Sequence, residues 1–412
     1  MTLITAAGLA ALFVAATGAL AAEVTSVLST RSLKDRDIEV SVAWQHDQSW
    51  ASIRRELVEP TGVLLINDVR YRQTRDSLLL RGEVGLVRDL SLFLGLSLVI
   101  ADDRHLAFDK RGECAAAACL ETLLRDGILP GDPNTSWGID AEKGGRFQAP
   151  SAEVFRGPTR SGLAYLALGL RWAAMNQTRD LAKPTWVLGL ESRFSVAQDQ
   201  RFDPADPSAN RGVGVGYHQL ILSSVFSQRF GAFEPSMGGW FMQPLLTSAS
   251  VYRNQDGTAQ RRAGGDVGIE ATVWQESARR ARIALELDGH IEYRLEGLAQ
   301  SELWEPLSGD PRCATDATRC RPGIDVDGAG ATAVHAGVVR SPAYGLLGGD
   351  AGFSSHIGRH ARLRGLCGLR WHQGHFLTDG HSGNAIYDVP GRRFRVEDQI
   401  AWLVFLSGTA SF

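Results

Sequence analysis

The chain has 412 residues, enough for one large domain or two ordinary ones. Its formal net charge of −3 gives no basic balance toward nucleic acid, and 44% hydrophobic content excludes disorder as the overall class. No interior apolar run approaches the roughly 18 residues of a spanning helix, so a membrane protein of this sequence would cross with strands.

Residues 1–22 stand apart. Thr2 to Ala22 carries no charge, runs through Leu-Ala-Ala-Leu-Phe-Val-Ala-Ala, and offers Ala19-Leu20-Ala21 as an A-x-A cleavage site. This is the pattern of a secretory signal peptide without the usual basic start. Export implies an oxidising compartment. Of the five cysteines, Cys114 and Cys119 bracket four alanines, and Cys313 and Cys320 lie in a Pro/Asp/Thr-rich stretch. Each pair is placed to close a local disulfide loop. Neither has a CxxC spacing or a nearby histidine, which argues against zinc. Cys367 is left over on an apolar strand face, where packing is its expected role.

Residues 23–36 form a polar lead-in. Then Ile38, Val40, Val42 and Trp44 alternate with polar residues as a first strand, and a weaker segment runs over 50–58 to a turn at Pro60-Thr61-Gly62. Leu65, Val69 and Tyr71 alternate with Asp68, Arg70 and Arg72. Leu78 to Leu86 and Leu92 to Ile100 form two strands joined at Arg88-Asp89. The stretch 102–160 is long and rich in Gly and Pro, with a short helix expected at 115–125; a loop of this length is out of place inside a compact soluble domain. Strands follow at 164–172, 186–194, 213–226 and 234–246. The clearest hairpin is 265–295, with one wholly apolar face and one charged face. Loop 297–330 carries the second cysteine pair, and 343–355, 360–375 and 392–412 complete the series around a loop at 379–391.

The last stretch alternates as well: Ile400, Trp402, Val404, Leu406, Gly408, Ala410 and Phe412 share one face, opposite Arg395, Glu397 and Gln399. An apolar file ending on an aromatic resembles the closing strand of bacterial outer-membrane β-barrels. That resemblance covers nearly all of the chain after residue 22 and rests on architecture, with no specific subfamily indicated. It implies an all-β, antiparallel, up-and-down transmembrane barrel spanning 37–412, of about fourteen strands (about twelve or sixteen being the neighbouring counts), with short turns on one side and long extracellular loops on the other. It implies location in the cell outer membrane and contact with its lipid and lipopolysaccharide. It also makes Phe412 the signal read by the barrel-assembly machinery.

If the apolar files face lipid, the charged files face the lumen. These collect Arg70, Arg72, Arg81, Arg171, Arg193, Arg362, Arg364, Arg370 and Arg395, with Glu83, Glu191, Asp266, Glu270, Glu286, Asp288, His290, Glu292 and Glu397. Acids concentrate on 266–292, and bases around 70–81 and 362–370. Such a transverse field resembles a porin constriction that orients polar solutes. A salt-bridged interior that closes the barrel stays open as the alternative, its disulfide-tied loops then binding a surface partner. Trp44, Tyr71, Trp172, Trp186, Tyr293, Trp371 and Trp402 are expected on outward files as interfacial girdles. No catalytic residue is assigned: His218 and His375 lack a lipase-like Ser/His/Asn pattern, and Asp379 with His381 reads as loop chemistry. Asp325-Val326-Asp327-Gly328 lacks the later ligands of a calcium loop. No cofactor, metal or nucleic acid is expected, and the oligomeric state is not readable.

Overall fold

A computed structural model describes residues 38–87, 89–109, 153–201, 210–253, 257–276, 281–307, 337–358, 360–377 and 393–412. The expected signal peptide (1–22), the lead-in (23–36), the helix at 115–125, Cys114, Cys119, Cys313, Cys320, the 325–328 run and the Asp379/His381 pair lie outside these residues.

Twelve antiparallel strands close into a barrel. In ring order they are β1 (Ile38–Glu59), β2 (Gly62–Val87), β3 (Leu90–Phe108), β5 (Arg160–Met175), β6 (Thr185–Phe194), β7 (Tyr217–Ser227), β8 (Phe233–Leu246), β9 (Arg262–Glu276), β10 (Ala281–Arg294), β13 (Tyr344–Ile357), β14 (Ala361–His372) and β16 (Phe394–Ser411). The seam is β1 on β16. There Ile38 N donates to Phe412 O at 3.2 Å, and Phe412 N donates to Ile38 O at 2.9 Å. Four short strands decorate the far rim: β4 (Glu153–Arg156) on β3, β15 (His375–Phe376) on β16, and β11 (Gly297–Gln300) paired with β12 (Val338–Ser341).

The expected fourteen strands reduce to twelve in the ring because two pairs of segments are single long strands. The segments at 38–45 and 50–58 are both β1, and those at 65–72 and 78–86 are both β2. Polar residues on the outward files, His46 and Gln48 in β1 and Thr74 and Asp76 in β2, interrupt the apolar alternation and explain the split reading. The register slips between Trp50 and Ser52 against β16, and between Ile53 and Arg54 against β2. The extra residue at each slip belongs to the partner strand, so β1 itself continues without a break.

The two-residue connection 60–61 apart, short and long connections segregate by rim. The connections 88–89, 176–184, 228–232, 277–280 and 358–360 all lie on the rim that holds Ile38 and Phe412, here called proximal. Several rest on left-handed residues: Asp89 (φ 60°), Gly231 (φ 62°) and Gly358 (φ 66°). Asp89 is held by Asn176 Nδ2, which donates to its carboxylate at 2.8 Å, and by Arg179 at 3.1 Å. The longer connections lie on the opposite, distal rim.

Alternation decides which face meets what. Val42, Leu80, Leu94, Leu168, Leu190, Leu222, Val267, Leu287, Leu369 and Leu406 are exposed on the outer wall. A continuous apolar band of this extent around a closed barrel is suited to hydrocarbon, not water. Aromatics bound it: Trp172, Phe230, Phe233, Trp274 and Phe412 are exposed near the proximal rim, and Trp44, Trp50, Tyr293 and Trp371 further up. Trp186 stacks on Phe226 with ring centroids 5.2 Å apart, and its Nε1 donates to Ser224 Oγ at 2.9 Å. Tyr71 does not join these girdles. It is buried on the inner face, since Val69 and Tyr71 share the inward file of β2 with Ser77 and Glu83. Cys367 is a free thiol exposed on the outer face. Among the described residues no helix is long and apolar enough to cross a membrane.

Candidate functional site

The candidate site is the lumen, and its wall changes character with height. Near the proximal rim it is a belt of ion pairs. Glu83 accepts from Arg81 Nη2 at 2.6 Å and from Ser91 Oγ, with Arg171 at 3.8 Å, and Arg81 lies 3.8 Å over the Phe93 ring. Across the lumen, Arg229 reaches Glu234 at 2.7 Å and Glu270 at 3.5 Å, Arg282 reaches Glu270 at 2.6 Å, and Arg364 reaches Glu286 at 2.7 Å. Ser227 Oγ also donates to Glu234, at 2.9 Å. Arg362 closes the belt at the seam on Glu39, at 2.9 Å. Glu234, Glu270, Arg282 and Glu286 are buried. Charges removed from water persist only where oppositely charged partners replace hydration, and that is how this belt is built.

At mid-height the wall opens. Asp350 accepts from Arg370 Nη1 at 2.9 Å and has His290 Nδ1 at 3.8 Å. Asp266 and Asp288 stand beside them on the inner files of β9 and β10. On the opposite arc Arg193 pairs with Glu191 and lies 5.0 Å over Tyr165. Inward glycines make this room: a methyl group at Gly268 would collide with the Asp288 carboxylate, and one at Gly348 with His290. Asp266 shares its inward file with the buried Glu270, yet Asp266 is exposed. The lumen therefore leaves room for water against the inner wall at this height.

The distal mouth is crossed. After β11, residues Ser301–Leu307 fold across the ring, ending in the single-turn helix α1 (Trp304–Leu307). They leave from the end of β10 and reach β5, which stands five places away in the ring of twelve along β5-β6-β7-β8-β9-β10. Glu305 accepts from Arg160 Nε at 3.0 Å and Nη2 at 2.8 Å. Arg160 also donates to Gly212 O at 3.2 Å and Arg201 O at 2.8 Å, so its buried guanidinium is well supplied with acceptors. Trp304 is buried between two cations, Arg160 at 4.8 Å and Arg104 at 5.3 Å. Gly157 lies against the Glu305 carboxylate, where any side chain would collide. A second tie joins Gln399 Nε2 to Glu302 Oε1 at 3.0 Å, on β16. The segment is a strap anchored on both arcs.

Fourteen of the eighteen lumen candidates lie on inner files: Arg81, Glu83, Arg171, Glu191, Arg193, Asp266, Glu270, Glu286, Asp288, His290, Glu292, Arg362, Arg364 and Arg370. The other four do not. Arg70 and Arg72 alternate with the buried Val69 and Tyr71, so they face outward; Arg70 pairs there with Asp109 at 3.1 Å. Arg395 and Glu397 alternate with the buried Phe394 and Val396, and also face outward. Glu397 binds Arg54 at 2.7 Å and Arg395 at 3.0 Å. The bulge at Asp398 (φ 52°) flips the alternation, putting Gln399 inside and its odd-numbered neighbours above outside. Sequence reading missed Trp304 and Glu305 because the strap lies in a stretch with no strand period. A buried-type Trp next to Glu in a polar loop was the one available signal.

No protein-family model matches the chain, and no curated protein matches it. Solved structures do. An outer membrane channel from Pseudomonas putida F1 aligns at TM-score 0.43 with 11% identity, covering 92% of this chain and 97% of that one. A Pseudomonas aeruginosa FadL homologue aligns at 0.34 with 8% identity, covering 92% and 90%. The outer membrane protease OmpT from Escherichia coli aligns at 0.28 with 10% identity, covering 94% and 100%. At these scores neither strand register nor site residues transfer. The closed ring, the apolar outer band and the charged inner wall decide the type. This is a transmembrane β-barrel.

Proposed function

We propose that the barrel is an outer-membrane channel that passes small polar solutes through a lumen narrowed at its distal mouth by the strap. The supporting observation is Asp266, exposed to water on an inner face whose proximal neighbours are buried. At that level Asp266, Asp288 and Asp350 on β9, β10 and β13 stand across from Arg193 on β6, a polarity suited to orienting polar solutes. In planar bilayers the purified protein is expected to give small, discrete current steps. Replacing Trp304 and Glu305 together by alanine should enlarge the steps, because it frees the strap. Absence of current from both forms would sink the channel reading.

The belt around Arg229, Glu270 and Arg282 favours a second reading. A lumen filled by paired charges suits a closed barrel whose distal loops hold a surface partner, with Cys114/Cys119 and Cys313/Cys320 as loop disulfides. That reading expects no current from either form. Insertion by the barrel-assembly machinery through β16, with Phe412 as signal, belongs to both. Deleting Phe412 should lower the amount of folded protein in the membrane fraction.

A further inference from the structure

Beneath the strap, on the β9–β10–β13 side, lies a cavity of about 140 Å³ outside the belt and the mid-height charges. An engineered protein cavity of about 150 Å³ takes up one bare benzene ring, so a substituted six-membered ring would fill this one and extend its substituents beyond it. The chemistry of this cavity is different, because polar groups and phenol rings share the walls. Tyr217 and Tyr252 meet edge to face with centroids 5.7 Å apart, and Tyr344 stacks on His375 at 3.6 Å. Burial pushes the Tyr252 phenol up, so it remains an O–H group at ordinary pH.

The charges around the cavity are already engaged. Arg294 donates to Glu292 at 2.8 Å and to the Tyr344 hydroxyl at 2.8 Å, and Glu302 accepts from Gln399. A second ion would therefore meet both signs at once and gain little. The side chain without a partner is neutral. Gln260 is 4% exposed, lines the cavity, and its Nε2 has no hydrogen-bond acceptor among the described residues. A buried amide donor left unpaired is costly unless a ligand or water accepts from it. Arg262 is engaged through Nη1, 3.9 Å from Glu292, but its Nε has no acceptor among the described residues.

We propose that this cavity binds one neutral, hydroxyl-bearing six-membered ring, a solute of the monosaccharide class. Its hydroxyl oxygens accept from Gln260 Nε2 and Arg262 Nε, and its C–H faces lie on the tyrosine rings. The site names the solute class for the proposed channel and rests on that reading for its role in transport, but binding itself is measured independently of current.

The test is saturation-transfer NMR on the purified full-length protein in detergent, with D-glucose, D-galactose and D-xylose as neutral probes and succinate as a charged one. Transfer to the ring protons of at least one sugar is expected, with none to succinate. Gln260→Leu should weaken it about tenfold, the scale of one lost hydrogen bond. Gln260→Glu, which keeps the size but replaces the donor with a carboxylate, should weaken it similarly and serves if Gln260→Leu fails to fold. Heat-modifiable gel migration reports folding in each variant. Transfer to succinate alone, transfer to no sugar, or sugar signals unchanged in a folded Gln260 variant each overturns the proposal. Current without sugar binding would leave the channel standing and remove this site; sugar binding without current would do the reverse.

Discussion

Arg160 and Glu305 carry the strap. Both are almost fully buried, so each compensates a charge that would otherwise lie unpaired away from water. Arg160→Met would leave Glu305 without its cation, a loss of about 3–5 kcal/mol in buried pairs. The cost falls on the strap, because the ring has its own ladders. Limited proteolysis should therefore cut near 301–307 in the variant while heat-modifiable migration stays as in the parent. His375 adds a pH dependence at the same rim. Burial holds its imidazole below the usual histidine range; Glu302 opposes this, while Arg294 and Arg395 reinforce it. The folded protein thus binds a proton less readily than the unfolded chain, whose histidine titrates near about 6.5. The stacking of His375 on Tyr344 is at full strength above that pH and weakens as pH falls below it toward the depressed folded value. Acidification below about pH 6 should raise proteolysis of the strap in the parent. A His375→Phe variant should lose that response, and an unchanged response would disprove the assignment.

Strand pairing sets a different demand. Gly352 on β13 faces inward opposite Leu366, and a methyl group there would run into the Gly365 carbonyl of β14. That obstacle is backbone and cannot swing aside. Gly352→Ala should part β13 from β14 locally and cost on the order of 1–3 kcal/mol, as overpacked substitutions do; a lowered urea midpoint for folding into vesicles would show it. Asp398 tests the bulge. Its left-handed φ of 52° is tolerable for Asp and poor for a β-branched residue. Asp398→Val should destabilise by about 1–2 kcal/mol and Asp398→Gly should not, measured by the same titration. The strand segments were legible in the sequence because each has a period of 2. Their number was not, because polar residues on the outward files of β1 and β2 interrupt the apolar alternation without ending the strand.

The whole barrel is a partition between lipid and water. Leu287 is exposed on the outer face beside the inward Asp288. Leu287→Arg places a charge in hydrocarbon and should cost roughly 2–4 kcal/mol of folding into vesicles, while Asp288→Asn on the lumen side should cost far less. Equal costs would mean that the faces are assigned the wrong way round. Between the aromatic rims fourteen of the charged candidates fall on inner files. The sequence pattern fails toward the distal rim: Arg70 and Arg72 lie on the outward file of β2, whose inward file there carries Val69 and Tyr71, and the bulge at Asp398 turns Arg395 and Glu397 outward.

The sequence by itself determined the strand-forming segments, the apolar outer files and the crowding of long connections on one rim. These are local properties, written in alternation and turn residues that need no distant partner. Only the tertiary structure decided the ring of twelve, the outward turn of the distal files and the strap across the mouth. Ring closure depends on β1 meeting β16, and face assignment near the bulges on which residues pair. The Glu305–Arg160 contact joins residues 145 positions apart. Nothing in the local pattern around either residue encodes its partner, so the constriction is a property of the closed barrel.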